Sequence, residues 1–318
     1  MKRRKFIKLG ATSTLAMQVP NIFASPELIG IKEIPHRVLG KTGEKVSIVA
    51  FGGIALRDNG QAFANELIAS AYDKGINYFD IAPSYGDSQA LMGPALKPIR
   101  KKVFLACKTG KRDKAGAQAE LEESLMQLHT DHLDLYQLHA MKTMEDIDRV
   151  FGAKGAMETF EKAKQEGKIR YIGFSAHNEE VALKAMEMYD FDTILYPINC
   201  VCWYNGNFGP AVYEMALKKN MGILALKAVA KTRVPKNERP YPNMWYRPFE
   251  EENEIDKCLN FTLSKNIATT VHAGDSIFMK KTLQFVDRNK NIYEPEEVEL
   301  RSMINGVKPI FSHPEEQA

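Results

Sequence analysis

The sequence predicts an α/β fold in which one closed barrel of repeating strand-helix units forms a single domain. Two observations carry that expectation. Short β-rich runs alternate with amphipathic stretches along the chain, and four residues of complementary chemistry fall at the ends of three successive β-rich runs. In a closed barrel the C-terminal ends of all strands open onto one face, so residues distant in sequence converge there. Such a barrel uses about 250 residues, and the chain has 318, so one domain suffices.

Strands are expected near Val46, Tyr78, Val103, Leu133, Ile169, Thr193, Gly222 and Ala268. Between them ANELIASAYDKG, AMETFEKAKQEGK, EEVALKAMEMY, AVYEMALKKN and EIDKCLNFTLSKN space their apolar residues by three and four, which gives each helix one apolar side to lay on the sheet. The segment KTRVPKNERPYPNMWYRPFEEEN follows the seventh strand and belongs on the rim. Pro235, Pro240, Pro242 and Pro248 keep it from being helical throughout. No short internal repeat and no low-complexity tract accompanies this cadence.

The four strand-end residues are Asp80 and Tyr85 in NYFDIAPSYG, Lys108 in KVFLACKTG and His139 in LDLYQLHA. A phenol with a pKa of about 10 exchanges protons usefully near neutrality only if a neighbour stabilises its phenolate. Lys108 is the candidate cation, Asp80 would anchor the ammonium, and His139 could orient a substrate oxygen against Tyr85. Any one of these alone is explained by a structural ion pair or a hydrogen-bonded strand terminus; the four together predict an active site. A phenol moves protons and no electrons, so redox chemistry there needs a hydride donor such as a nicotinamide.

The chain resembles the aldo-keto reductases. HRVLGKTGEKVSIVAFGG is similar to that family's opening β-hairpin and first barrel strand, followed by GINYFDIAPSYGDSQALMGPAL, ACKTGKR, LEESLMQLHTDHLDLYQLH and GKIRYIGFSAHN. The likeness covers roughly residues 35 to 180 well and the remainder loosely. It implies a (β/α)8 TIM barrel with an N-terminal hairpin that binds NADP(H), with NAD also possible, and interconverts carbonyls and alcohols. It further implies that Tyr85 is the general acid/base, that Lys108 and Asp80 tune it, and that His139 positions the carbonyl.

The cofactor contacts implied by the resemblance depart further from the family pattern. Gly53 and Ile54 in VAFGGIA are candidate cofactor contacts. Ser175 in GFSAHN stands where the nicotinamide amide is touched, but Ala176 replaces a common asparagine. Asn199 is followed by Cys200 rather than glutamine, and Leu226 or Lys227 falls where many members carry a ring-stacking tyrosine. In TTVHAGDSIFMKKTLQFV, Gly274 and Ser276 are candidate phosphate contacts, and Lys280 and Lys281 either meet a 2′-phosphate or form a solvated face. Tyr241, Trp245, Tyr246 and Phe249 either wall a substrate cleft or pin the rim loop to the barrel. Trp203 is a further substrate candidate, whereas His177 and His272 read as structural.

The formal net charge is +3. Without Lys2, Arg3, Arg4, Lys5 and Lys8 the balance is 38 basic against 40 acidic residues. A near-neutral body argues against nucleic-acid binding, which needs a clustered basic face. MKRRKFIKLGATSTLAMQVPNIFAS, residues 1–25, reads as a targeting peptide resembling a twin-arginine signal, although Lys2 stands where serine or threonine is usual. This predicts handling by the twin-arginine export machinery and a periplasmic location for a 33–318 barrel; the alternative is a basic tail on a cytoplasmic enzyme. No later run is apolar over the roughly 20 residues that span a bilayer.

Cys107, Cys200, Cys202 and Cys258 lack the spacing of a zinc or iron-sulfur ligand set. They read as buried small hydrophobes, with Cys200 and Cys202 on one strand face. No cysteine-rich cluster domain of the kind some exported relatives carry is read near FSHPEEQA. Beside the carbonyl oxidoreductase reading stand two others: a nucleotide-binding sensor or partner subunit with little turnover, and a cofactor-independent lyase or isomerase.

Overall fold

The computed structural model describes residues 34–272, 274–289 and 291–313. The targeting segment read from residues 1–25 lies outside the described residues, as do both ends of the 33–318 span.

An antiparallel hairpin, β1 (His36–Val38) and β2 (Lys45–Ser47), leads into the barrel. Its strands follow as β3 (Val49–Gly52), β4 (Tyr78–Asp80), β5 (Phe104–Thr109), β6 (Leu133–Met141), β7 (Ile169–Ala176), β8 (Thr193–Pro197) and β9 (Gly222–Leu226). A second antiparallel pair, β10 (Ala230–Arg233) and β11 (Tyr246–Pro248), rises from the rim. Then β12 (Thr269–Val271) pairs in parallel with both β9 and β3 and closes the ring.

One expectation is corrected here. Val46 sits in the hairpin and not in the first barrel strand, because the apolar run VSIVAFGG is broken at its second residue. Ser47 takes its backbone N–H to the Asn77 side chain and donates its hydroxyl to the Val49 carbonyl, which turns the chain between β2 and β3. The rim segment after the seventh strand is ordered partly as the β10–β11 pair, with Pro248 at the end of a strand that pairs on one side only.

Strand residues alternate between the helix layer and the barrel interior. Val49, Phe51, Phe79, Leu105 and Tyr136 face outward into the main core beneath the helices. Ala50, Tyr78, Phe104, Ala106, Leu135, Leu195 and Leu224 meet inside, where Leu39 and Val46 from the hairpin join them. Each fully buried apolar side chain of this kind contributes about 1.5–3 kcal/mol. The hairpin thereby plugs the N-terminal end of the barrel. Its approach depends on Gly40, whose φ is +50° and where a Cβ would stand 2.3 Å from the Gly222 nitrogen.

Candidate active site at the barrel rim

The same alternation aims the polar residues. Asp80 lies two residues beyond Tyr78, Lys108 two beyond Ala106, and His139 four beyond Leu135, so all three share the interior parity at the C-terminal ends of their strands. Tyr85 ends the 3-10 turn Pro83–Tyr85 that follows β4.

The Lys108 ammonium and the Asp80 carboxylate are in direct hydrogen-bonded contact, and Lys108 also donates to the Ile81 carbonyl at 3.1 Å. Lys108 is completely buried. Its nitrogen lies 5.3 Å from the centroid of the Tyr85 ring. The Tyr85 and His139 rings meet edge to face, with centroids 6.0 Å apart. The four residues named from sequence thus form one cluster.

Burial alone drives an ammonium down and a carboxyl up. It does lower Lys108, but Asp80 and Tyr85 outweigh it and hold the lysine above its ordinary value. Asp80 is raised by burial against the pull of Lys108. The contact is an ion pair, because a neutral Asp80 would leave a fully buried ammonium facing only a carbonyl. Burial raises the Tyr85 phenol and Lys108 opposes that rise. His139 is pushed down to about 3, first by burial and then by Lys108, Lys227, Arg112 and Lys142, so it is neutral at physiological pH.

His139 is held by a device that carries no sequence signal beyond the ACKTGKR likeness. The β6–β7 register shifts between Leu138 and Met141, and Ala140 adopts a φ of 53°. The Ala140 N–H donates to the Ser175 hydroxyl at 2.7 Å. Arg112 donates to the His139 and Ala140 carbonyls at 2.9 and 3.3 Å while its Nε binds Asp146 at 2.8 Å. These bonds fix a left-handed non-glycine residue and with it the direction of the imidazole.

The cluster opens into a cavity of about 200 Å³ lined by Gly52, Ile54, Asp80, Tyr85, His139, Lys227, Gly274 and the rim segment Asn243–Tyr246, among others. A larger cavity of about 710 Å³ adjoins it, with His177 and Trp245 on both walls. Leu226, Lys227, Ile54, Gly274, Trp245 and Tyr246 therefore reach the cleft.

Other candidates lie elsewhere. Gly53 is a packing position, where a Cβ would meet Ile81, Asp80 and Met92 at 2.3–2.8 Å. Trp203 packs edge-on against Tyr213 and Phe261, with Lys265 4.3 Å above its ring, off the cleft lining. Tyr241 pins the rim segment instead, stacking edge-on with Phe278 and donating to Glu250 at 2.8 Å. Phe249 is buried in the main core.

Ser276 opens the helix Ser276–Arg288, whose N-cap Asp275 accepts from the Ile277 N–H. Lys280 is exposed, and Lys281 donates to the Glu250 carbonyl. His177, read as structural, lines both cavities. His272 also lines the smaller one and meets Phe51 edge-on. Cys200 and Cys202 are not on a strand face: Asn199 caps the short helix Cys200–Asn205 that contains them, because its side chain accepts from the Cys202 N–H and ends the strand run. All four cysteines are free and buried.

Fold and rim together describe an eight-stranded α/β barrel with an acid-base cluster where its strands end. A profile of the aldo/keto reductase family matches residues 49–294, and the chain belongs to that family. The oxidoreductase YqkF of Bacillus subtilis is 34% identical over 154 residues, 44% of this chain and 48% of that protein. L-galactose dehydrogenase of Arabidopsis thaliana is 33% identical over 159 residues, 45% and 49% of the two chains. The matched region spans about half the length of these relatives. The holo form of aldo-keto reductase AKR11C1 from Bacillus halodurans superposes with a TM-score of 0.68 at 23% identity, over 90% of this chain and 100% of that one.

Aldo-keto reductases use NAD(P)H; two of the polar residues read as cofactor contacts, Ser175 and Asn199, are buried at the ends of β7 and β8, and neither is on the lining of the two cavities. Asn199 Nδ2 is a buried donor with no partner among the described residues. Ser175, on the neighbouring strand β7, uses its oxygen to accept from Ala140 and keeps its own proton to donate.

Proposed function

We propose that this protein is an NADP(H)-dependent oxidoreductase, with NAD as the alternative donor, that interconverts an aldehyde or ketone and the corresponding alcohol. The observation that carries the reading is the contact chain from Asp80 through Lys108 to Tyr85, with a neutral His139 edge-on to the phenol.

The nicotinamide supplies the hydride; Ser175 and Asn199 would hold its carboxamide. A carbonyl oxygen in the small cavity accepts a hydrogen bond from neutral His139, which orients it toward the Tyr85 hydroxyl. Tyr85 is protonated at neutral pH, because burial keeps it so, and gives its proton to the oxygen as negative charge develops there. Lys108 then faces the phenolate, and Asp80 keeps the lysine charged and in place. In the alcohol-oxidising direction the same phenolate takes the proton back.

Consumption of NADPH or NADH with a panel of aldehydes tests this. Tyr85→Phe is expected to lower kcat by about 10²–10⁴. Full turnover in that variant would remove Tyr85 as the acid.

We further propose that residues 1–25 direct export by the twin-arginine machinery to the periplasm, on the strength of the RRKFIK run and the small residues Ala24 and Ser25. Replacing Arg3 and Arg4 with lysine is expected to retain the precursor in the cytoplasm. Unchanged fractionation would favour a cytoplasmic enzyme.

A further inference from the structure

Three cations surround the passage between the two cavities. Lys227 begins the turn after β9 and lines the small cavity; Lys142, just past β6, and Arg233, at the end of β10, line the large one. Their convergence is visible from His177, which lies on both walls and is held well below its ordinary range by burial, then Lys227, His139, Lys142 and Arg233.

None of these cations has an ion-pair partner among the described residues. Other arginines beneath and around the barrel are neutralised: Arg100 and Arg170 by Asp134, and Arg112 by Asp146. Lys227 and Arg233 instead lie 5.6 and 5.1 Å from the centroid of the Trp245 ring. Arg233 spends its Nε on the Ile310 carbonyl at 2.9 Å, and no hydrogen bond from its terminal nitrogens is formed with the described residues. Among the described residues Lys227 donates only to His177 Nε2, at 3.3 Å.

The carboxyl on the large cavity's lining does not neutralise this group. Glu179 accepts from the Gly209 N–H at 2.9 Å, and burial raises its pKa toward the uncharged form. Concentrated positive charge, half-desolvated and held on aromatic faces, is an arrangement that an anion completes.

We propose that this cationic passage binds the anionic group, a carboxylate or a phosphate, of the carbonyl substrate, with Lys227 and Arg233 as the main contacts and Lys142 at the entrance. The proposal rests on the reductase reading for its carbonyl. Lys227 and Tyr85 share the walls of one 200 Å³ cavity, which is smaller than the roughly 300–1,000 Å³ of most ligand pockets. An anion held there places a short substrate's carbonyl beside Tyr85, and the larger cavity takes whatever extends outward.

The test compares length-matched probes on the full chain: succinic semialdehyde against butanal, and glyceraldehyde 3-phosphate against glyceraldehyde. We expect kcat/KM at least tenfold higher for one anionic member of these pairs, and which pair shows it separates carboxylate from phosphate. Lys227→Met and Arg233→Met should each cut that preference at least tenfold through KM, with Lys227→Arg restoring much of it. Lys142→Gln, at the exposed entrance, should weaken it less and guards against a buried variant that fails to fold. Equal kcat/KM for charged and neutral probes, or a preference untouched in these variants, overturns the proposal and leaves the reductase reading standing. If no aldehyde is turned over, the reductase reading fails, and calorimetric titration with succinate and with inorganic phosphate still decides the site. Binding that is lost in Arg233→Met supports it, and no binding at millimolar anion overturns it.

Discussion

Two lysines, Lys108 fully buried and Lys227 partly exposed, stand at the C-terminal ends of strands of the same barrel and behave in opposite ways. Lys108 on β5 touches a carboxylate and stands above its ordinary pKa; Lys227 beyond β9 touches an imidazole and is lowered to about 7, first by burial, against Cys202, and then by Lys108. Desolvation pulls both of them down, so it alone does not separate them. What separates them is Asp80. One side of the rim carries a charge whose partner is built in, and the other carries charge whose partner is left to the ligand.

Breaking that difference begins at the catalytic side. The largest effect on turnover is the loss expected from Tyr85→Phe. Asp80→Asn should come next: it strands the Lys108 ammonium, so chemical denaturation should show a loss of about 3–5 kcal/mol, accompanied by a fall in kcat. A stability unchanged by that substitution would mean that the buried pair is not ionised.

On the other side the sign reverses. Lys227→Met should stabilise the protein near pH 7 by on the order of 1 kcal/mol, since a partly desolvated ammonium with no carboxylate partner among the described residues is replaced by an apolar chain of similar size. The pH dependence sharpens this. The folded pKa, about 7, lies below the ordinary lysine value of 10.5, so between them the unfolded chain binds more protons and Lys227 costs less stability as pH rises. The advantage of Lys227→Met should therefore be largest below pH 7 and shrink toward pH 10. Of the groups facing Lys227, His177 and His139 are pushed down, and Lys108 and Cys202 are pushed up, so these four move away from the interval between pH 7 and 9 in which Lys227 titrates. An advantage that grows with pH would contradict the assignment.

The catalytic side was legible in the sequence because it depends on local regularities. Period-two alternation and strand ends decide where Asp80, Lys108 and His139 point, and the motif around Tyr85 follows directly from β4. The hairpin was legible only through resemblance, and Val46 was assigned to the wrong strand because an apolar run does not reveal the turn at Ser47. Trp203 and Tyr241 were placed at the cleft because large rings suit both packing and binding; only their neighbours, Phe261 and Phe278, distinguish the two.

The character of Lys227 was hidden for a different reason. A charge is unusual when no carboxylate lies near it, and such an absence exists only in three dimensions. The support of His139 by Arg112 is similarly non-local, since it joins residue 112 to the carbonyls of 139 and 140 through a strand bulge.

The hairpin plug described above also dictates traffic. With Leu39 and Val46 sealed against the interior side chains at the floor, the ring offers no passage from below, and whatever meets Tyr85 and His139 must come in from the side where the strands end.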